Sequence, residues 1–293
     1  MRILLIGTVQ FSYDVLKELL TLPADLVGVC TLKKGSQHSD YADLSQLAEE
    51  ANIPWRYCPE IHDTDSLAWI KSLQPDVIFC FGWSRLLPKE VLELAPFGVM
   101  GFHPAALPAN RGRHPIIWAL ALGLQETAST FFFMDEGADS GDIISQKVIP
   151  ILPSDDANSL YLRIKNTAIQ QIRVWLPALS SKSNARTLQD HLLANNWRKR
   201  GPNDGLIDWR MPATGIHNLV RALAFPYPGA HIIFQGSNVK VWKTIETTCS
   251  NQNIEPGKVV AITSDGPVVK AGIDAITLLS TEPTIKCKLS DYL

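Results

Sequence analysis

Along the first 180 residues, short branched apolar runs alternate with longer stretches whose apolar residues recur every three or four positions. The run 2–6 (RILLI) reads as a buried strand closed by Gly7-Thr8. Leu16, Leu19 and Leu20 then repeat at helical spacing, and 24–30 (ADLVGVC) reads as a second strand. A helix is predicted over 41–51, with Leu44, Leu47 and Ala48 on one face, followed by a short strand at 53–57. The next helix is predicted over 63–73, with Asp63 and Thr64 as candidate caps. The most strand-like run is 77–81 (VIFCF); further strands are predicted at 99–102, 129–134 and 143–151, and helices at 116–122 and 160–179.

Strands alternating with helices predict an α/β domain with a mostly parallel, Rossmann-like sheet. Serine and lysine thicken at 180–183, and polar residues continue to Asn203. Beyond them a helix is predicted at 213–223, and then short strands at 230–234, 239–244, 257–262, 268–271 and 275–279, separated by glycine-bearing turns. That texture predicts a small, OB-like β-barrel domain. The expected division is a first domain over 1–180, a linker over 181–204 and a second domain over 205–293.

In a parallel sheet of this kind, ligands bind beyond the carboxyl ends of the strands. That rule points to 7–11, 82–87 and the loops around His103. No GxGxxG follows the first strand, and no GxxxxGK[ST] occurs, so a standard dinucleotide or triphosphate site is not supported. A formal net charge of -2 argues against a partner held through many phosphates, and nucleic acid is not expected. The five cysteines, at 30, 58, 80, 249 and 287, form no Cys-x-x-Cys pair. Neither a metal site nor a disulfide framework is expected, and a reducing cytoplasm fits best. The apolar run after Arg2 is too short for a signal peptide, and no run reaches the ~18–20 residues of a membrane span.

Candidate chemistry concentrates in 101–144. His103 ends a strand and precedes Pro104, which holds its backbone extended. Asp139 lies in Gly137-Ala138-Asp139-Ser140-Gly141, where glycine lets a loop bend sharply. A histidine beside a carboxylate suits acid–base work near neutral pH. Arg111 and Arg113 form a candidate clamp for carboxylate or phosphate. Spacing alone does not bring His103 and Asp139 together. A structural histidine, a hairpin turn and a solvated arginine pair account for the same letters.

The run His103-Pro104-Ala105-Ala106-Leu107-Pro108, then Arg111-Gly112-Arg113, then Met134-Asp135-Glu136-Gly137-Ala138-Asp139-Ser140-Gly141-Asp142-Ile143 resembles the signature of the folate-dependent formyltransferases. The resemblance extends to Gly7-Thr8, to 77–87, and to Ile207-Asp208-Trp209 with Arg221 and Pro226-Tyr227-Pro228-Gly229, so it covers nearly the whole chain. It implies transfer of a formyl group from N10-formyltetrahydrofolate to an amine. It implies that His103 manages the proton as the amine attacks, and that Asp139 raises the basicity of that histidine and orders a water. It implies that Arg85, Leu86, Leu87, Arg113 and the loop Asp135, Glu136, Gly137, Ala138 surround the folate.

The sequence departs from the family pattern at one position. The pattern is Asn-x-His, its Asn stabilising the developing oxyanion, and here that position is Gly101; the position two after the histidine, often serine, is Ala105. Loss of one such donor costs roughly 10²–10³ in rate. The expectation is a replaced donor: a backbone N–H, an ordered water or Asn110. The alternatives are that protonated His103 carries the oxyanion alone, or that the chain is a slow or non-catalytic binding protein. Arg111 to Trp118 resembles the sugar N-formyltransferases more than methionyl-tRNA formyltransferase, and the segment 31–41 carries only Lys33 and Lys34 where the tRNA enzyme has a longer basic insertion. The expected acceptor is a small amino sugar, nucleotide-linked and destined for surface polysaccharide such as lipopolysaccharide; the alternative is the methionyl-tRNA formyltransferase activity. A homodimer is compatible with the resemblance.

Overall fold

The computed structural model describes residues 1–33, 40–83, 85–181 and 186–293; Lys34 and residues 182–185 of the expected linker lie outside them. The described chain clusters into two compact units. The first comprises Met1–Gly112, Ala128–Ile149 and Arg163–Trp197; the second comprises Arg113–Thr127, Pro150–Leu162 and Arg198–Leu293.

Elements alternate as the hydrophobic pattern predicts: β1 (Arg2–Ile6), α1 (Gln10–Leu19), β2 (Asp25–Thr31), α2 (Ser45–Glu50), β3 (Trp55–Tyr57), α3 (Thr64–Ser72), β4 (Val77–Cys80), α4 (Lys89–Leu92) and β5 (Val99–His103). There follow β6 (Arg111–Gly112), α5 (Pro115–Ala121), β7 (Glu126–Phe133), β8 (Ile143–Pro150), α6 (Ala157–Ser180) and β9 (Asn196–Trp197). Seven strands form one sheet in the order β3-β2-β1-β4-β5-β7-β8. The pairs β3–β2, β2–β1, β1–β4 and β4–β5 are parallel, and β5–β7 is antiparallel. The sheet is mostly parallel and Rossmann-like. Central parallel strands are covered on both faces, which is why β1 and β4 are continuous apolar runs: Leu4, Leu5, Ile6, Val77, Ile78 and Phe79 are fully buried.

Local chemistry sets the element ends. The Asp63 carboxylate accepts the Ser66 N–H at 2.6 Å and starts α3, as expected of an N-cap. Helix α2 starts at Ser45, later than the periodicity predicts. The residues before it are spent otherwise: Tyr41 bridges to Val9, Ala42 N–H donates to the Thr8 carbonyl, and Asp43 accepts the Ser45 N–H at 2.9 Å. Helix α6 is held against α1 by Lys165–Asp14 at 2.6 Å and by a two-pronged Arg173–Glu18 pair at 2.6 and 2.9 Å. On its sheet-facing side, Trp175 meets Phe79 and Phe131 edge to face, with ring centroids 5.5 and 5.2 Å apart.

The second unit contains α7 (Ala213–Ala222), β10 (Ala230–Phe234), β11 (Ser237–Thr247), β12 (Val259–Ile262), β13 (Pro267–Lys270) and β14 (Ala275–Glu282). The five strands form an antiparallel sheet in the order β10-β11-β14-β13-β12. Strand β14 runs three residues past its expected end because 280–282 continue to pair with β11, where Trp242 Nε1–H donates to Glu282 at 2.9 Å. Lys270 is 1 % exposed, and its ammonium donates to the Ala271 and Asp274 carbonyls at 2.7 and 3.2 Å. All five cysteines are free thiols. Among the described residues no helix is long and apolar enough to cross a membrane.

Candidate active site

Strand β5 delivers His103 to the carboxyl edge of the sheet, and the turn after it is tied down from two sides. Thr130 of β7 donates its hydroxyl to the Ala105 carbonyl at 2.7 Å, and Gln146 of β8 donates to the Leu107 carbonyl at 2.8 Å and to Thr130 at 3.0 Å. His103 Nε2 lies 2.7 Å from the Asn110 carbonyl. A carbonyl only accepts, so Nε2 carries a proton. The other nitrogen, Nδ1, faces the Asp139 carboxylate at 3.5 Å. Both contacts are favourable when each nitrogen bears a proton. Asp139 also accepts the Gly112 N–H at 2.9 Å. Its side chain is 21 % exposed and that of His103 is 5 % exposed, so the carboxylate is the solvent-facing member of the pair.

The loop that carries Asp139 is built by Asp135. One Asp135 oxygen accepts the Gly137 N–H at 3.0 Å and the Ser140 hydroxyl at 2.6 Å, closing the turn. Glu136, Gly137 and Ala138 are exposed along its outer edge. Asp139 itself has φ of 55°, in the left-handed region that aspartate tolerates better than most residues.

The remaining expected positions are distributed unevenly. Leu87 is buried while its neighbour Leu86 is 67 % exposed. Arg85 donates to the Pro59 carbonyl and pairs with Glu60 at 3.0 Å. Nearby, the buried Trp83 Nε1–H has no hydrogen-bond partner among the described residues. The arginine clamp is not formed as expected. Arg111 is 7 % exposed and spends its guanidinium on Gln189 Oε1, at 2.6 and 3.2 Å, and on His191 Nδ1 at 3.1 Å. Its hydrogen bonds turn it into the protein, whereas Arg113 is exposed and belongs to the second unit. There His114 sits in a basic surrounding: burial, and then the Arg113, Arg200 and Lys199 charges, push its imidazole below the ordinary histidine value.

Gly101 resolves differently from the expected pattern. It pairs with Phe132 across β5 and β7. A Cβ at 101 would lie 2.8 Å from the Phe132 ring and 2.9 Å from Met134 Cγ. The space beside position 101 is thus filled by the Phe132 ring and Met134, and a larger side chain there would have to displace one of them. Asn110, one expected substitute, contributes its backbone: its carbonyl accepts a hydrogen bond from His103 Nε2 and its N–H donates to Asn195 Oδ1 at 2.7 Å.

The part of the site that the sequence did not disclose is the segment 187–197, within the expected linker. Thr187 bridges to Ile143 of β8, Gln189 is buried, and β9 pairs in parallel with β6. Two-residue strands leave no periodicity to detect. The nearest signal was the pair Asn195-Asn196 between the apolar 192–194 and the basic run that starts at Arg198.

The family model for formyl transferases matches residues 1–174, and that for the formyl transferase C-terminal domain matches 200–292. The chain belongs to the formyl transferase family. It is 31% identical over 300 residues to the methionyl-tRNA formyltransferase of Geobacter metallireducens, covering 100% of this chain and 95% of that one. It is 29% identical over 294 residues to that of Desulfotalea psychrophila, covering 99% and 90%. Among solved structures, it is similar to a sugar 3N-formyl transferase, with TM-score 0.70 and 19% identity, over 95% of this chain and 97% of that one. It is also similar to the N-formyltransferase of Helicobacter canadensis, with TM-score 0.71 and 18% identity, over 94% and 98%. At such identities these last two establish the shared fold.

Proposed function

We propose that this formyl transferase moves a formyl group from N10-formyltetrahydrofolate to the amine of a nucleotide-linked amino sugar, with His103 and Asp139 handling the proton. The observation that carries the reading is their pairing at 3.5 Å beyond β5, in a chain of this family. The donor supplies the formyl group and, in leaving, a nitrogen that must gain a proton; the attacking amine must lose one. His103 holds a proton on Nε2 against the Asn110 carbonyl, and Asp139 holds Nδ1 from the solvent side. In this reading the acidic residue is the port through which a proton enters or leaves, and the imidazole behind it is the store.

The solved sugar 3N-formyl transferase was crystallised with dTDP and 5-N-formyl-THF, and the Helicobacter protein with folinic acid and dTDP-3-aminofucose. A folate fits the residues present here. The exposed loop Asp135, Glu136, Gly137 and Ala138, the exposed Leu86 and the unpaired Trp83 N–H offer backbone groups, an apolar contact and one donor. Arg85 is engaged with Glu60, and Arg113 is exposed to solvent in the second unit. Along the sequence, we assign 1–180 to the catalytic part, 181–204 to a connecting segment and 205–293 to the β domain. The run from Arg111 to Trp118 and the net charge of -2 support the amino sugar as acceptor. The cytoplasm is the compartment in which the five free thiols would persist.

One observation favours a second reading. The relatives with 29–31% identity along the whole chain are methionyl-tRNA formyltransferases, and Arg113, Lys199 and Arg200 gather around His114 in the second unit. The test is incubation with N10-formyltetrahydrofolate and either a panel of aminosugar nucleotides or methionyl initiator tRNA, read by mass spectrometry. A formylated sugar nucleotide supports the first reading. Formylated methionyl-tRNA with no sugar product overturns it in favour of the second.

A further inference from the structure

Asp139 and His103 are each held by other parts of the chain, and following those supports outward leads to one residue. The Asp139 carbonyl and the Gly141 carbonyl both accept from Gln189 Nε2, at 2.9 and 2.6 Å. The other end of the same amide, Oε1, accepts from Arg111 Nε and Nη2 at 3.2 and 2.6 Å. Arg111 is followed by Gly112, whose N–H donates to the Asp139 carboxylate, and preceded by Asn110, whose carbonyl holds His103 Nε2. The ring is closed. Gln189 fixes the backbone of the acidic loop on one side and, through Arg111, the two residues that orient both members of the pair on the other.

The neighbours of Gln189 hold the same register. Asn195 Oδ1 accepts the Asn110 N–H at 2.7 Å, and the Asn195 carbonyl accepts the Arg111 N–H at 3.0 Å. Gly112, with φ of 101°, lies so close to Trp197 that a Cβ there would clash with the Trp197 carbonyl oxygen. The amide chemistry is specific. The ring needs one side chain that donates to two carbonyls and accepts from a guanidinium, and among side chains of this length only glutamine does both. Glutamate keeps the arginine contact but turns a charged acceptor onto two acceptors. Methionine keeps the shape and removes all four bonds. The strained φ of Asp139 also requires outside support, since such a conformation persists only when its surroundings over-determine it.

We propose that Gln189 is a positioning residue for formyl transfer: coupled to Arg111, it sets the distance and angle between Asp139 and His103. This rests on the roles given to that pair above. A positioning role differs from a merely structural one in what its loss disturbs. A displacement of about 1 Å at a reacting group can cost 10²-fold in rate, while substrate binding that does not pass through the pair is left in place.

The experiment uses the full chain with Gln189→Glu and Gln189→Met and reads two quantities. The first is turnover with whichever acceptor of the panel above is formylated: kcat falls by about 10–100-fold with KM for both substrates little changed. The second needs no substrate. The imidazole ¹⁵N signals of His103 at neutral pH, assigned by their loss in His103→Gln, move in both variants because Nδ1 and Nε2 change partners. Wild-type signals in Gln189→Glu together with a thermal midpoint lowered in both variants overturn the proposal and leave Gln189 a fold-holding residue. If the wild-type protein formylates none of the acceptors, the functional reading fails, and the imidazole signals alone still decide whether Gln189 sets the pair.

Discussion

Restoring asparagine at position 101 should make this protein worse. The family pattern suggests that Gly101→Asn would supply a missing oxyanion donor worth roughly 10²–10³ in rate, or about 2.7–4 kcal/mol. The structure reverses that expectation. Even an alanine Cβ at 101 would come within 2.8 Å of the Phe132 ring and 2.9 Å of Met134 Cγ, and Phe132 is 2 % exposed. Forcing extra atoms into a packed site costs about 1–3 kcal/mol. An amide facing an apolar ring without a partner adds about 1–3 kcal/mol more. The sum, roughly 2–6 kcal/mol, brackets what the donor could return, and it falls on stability because Phe132 or Met134 must move to admit the side chain. Urea unfolding should show the loss, and single-turnover formyl transfer should show no gain. Pairing Gly101→Asn with Phe132→Val should recover part of the stability, with a coupling of about 0.5–3 kcal/mol between the sites. A folded Gly101→Asn protein with the wild-type midpoint and a tenfold or greater rate increase would refute the packing argument.

Asp139→Asn keeps an oxygen for the Gly112 N–H but removes the charge beside His103, so turnover should fall by about 10²–10⁴ with little change in unfolding midpoint; a rate within a few-fold of wild type would remove Asp139 from the proton path. Lys270→Met takes the ammonium from the Ala271 carbonyl, while the Asp274 carbonyl keeps the Ala271 N–H, costing about 1–3 kcal/mol by urea denaturation. Hydrogen bonding from Arg173 holds the Glu18 carboxyl below its ordinary value. A depressed carboxylate stabilises the fold above its unfolded value, and that contribution disappears as pH falls through the folded one. Arg173→Met should therefore lower the thermal midpoint slightly at pH 7 and not at all in strong acid, and calorimetry at both values checks the sign. The effect at neutral pH stays small because the arginine is 58 % exposed.

The parallel core was legible because burial on both faces leaves an unbroken apolar run, as in 2–6 and 77–81, and because a cap such as Asp63 acts on residues three positions away. The end of β14 was less legible, since pairing with β11 is a long-range matter and the apolar pattern stops at Leu279. His103 and Asp139 could be nominated from the motif, yet their contact depends on Gly112 and Asn110, which spacing does not reveal. Arg111 was misread for a related reason. A lone arginine in a glycine-bearing turn has the letters of a ligand clamp, and only the buried Gln189 from a distant segment shows that its charge is turned into the protein. The fate of Gly101 was likewise hidden. Strand register places Phe132 opposite it, and register is fixed by the whole sheet.

The pairing of β6 with β9 bears on where this chain can be cut. A fragment ended at residue 180 would retain every strand of the parallel sheet and would look complete by its secondary structure. It would lack Gln189, Asn195 and the partner of Arg111-Gly112, and so would keep the histidine while losing the frame around it. The first compact unit runs to Trp197. Because 113–127 and 150–162 cluster with the second unit, a join that keeps the frame around His103 has to fall after Trp197 and has to leave those two segments with their own β domain. Chimeras joined a few residues earlier would express and bind while turning over poorly.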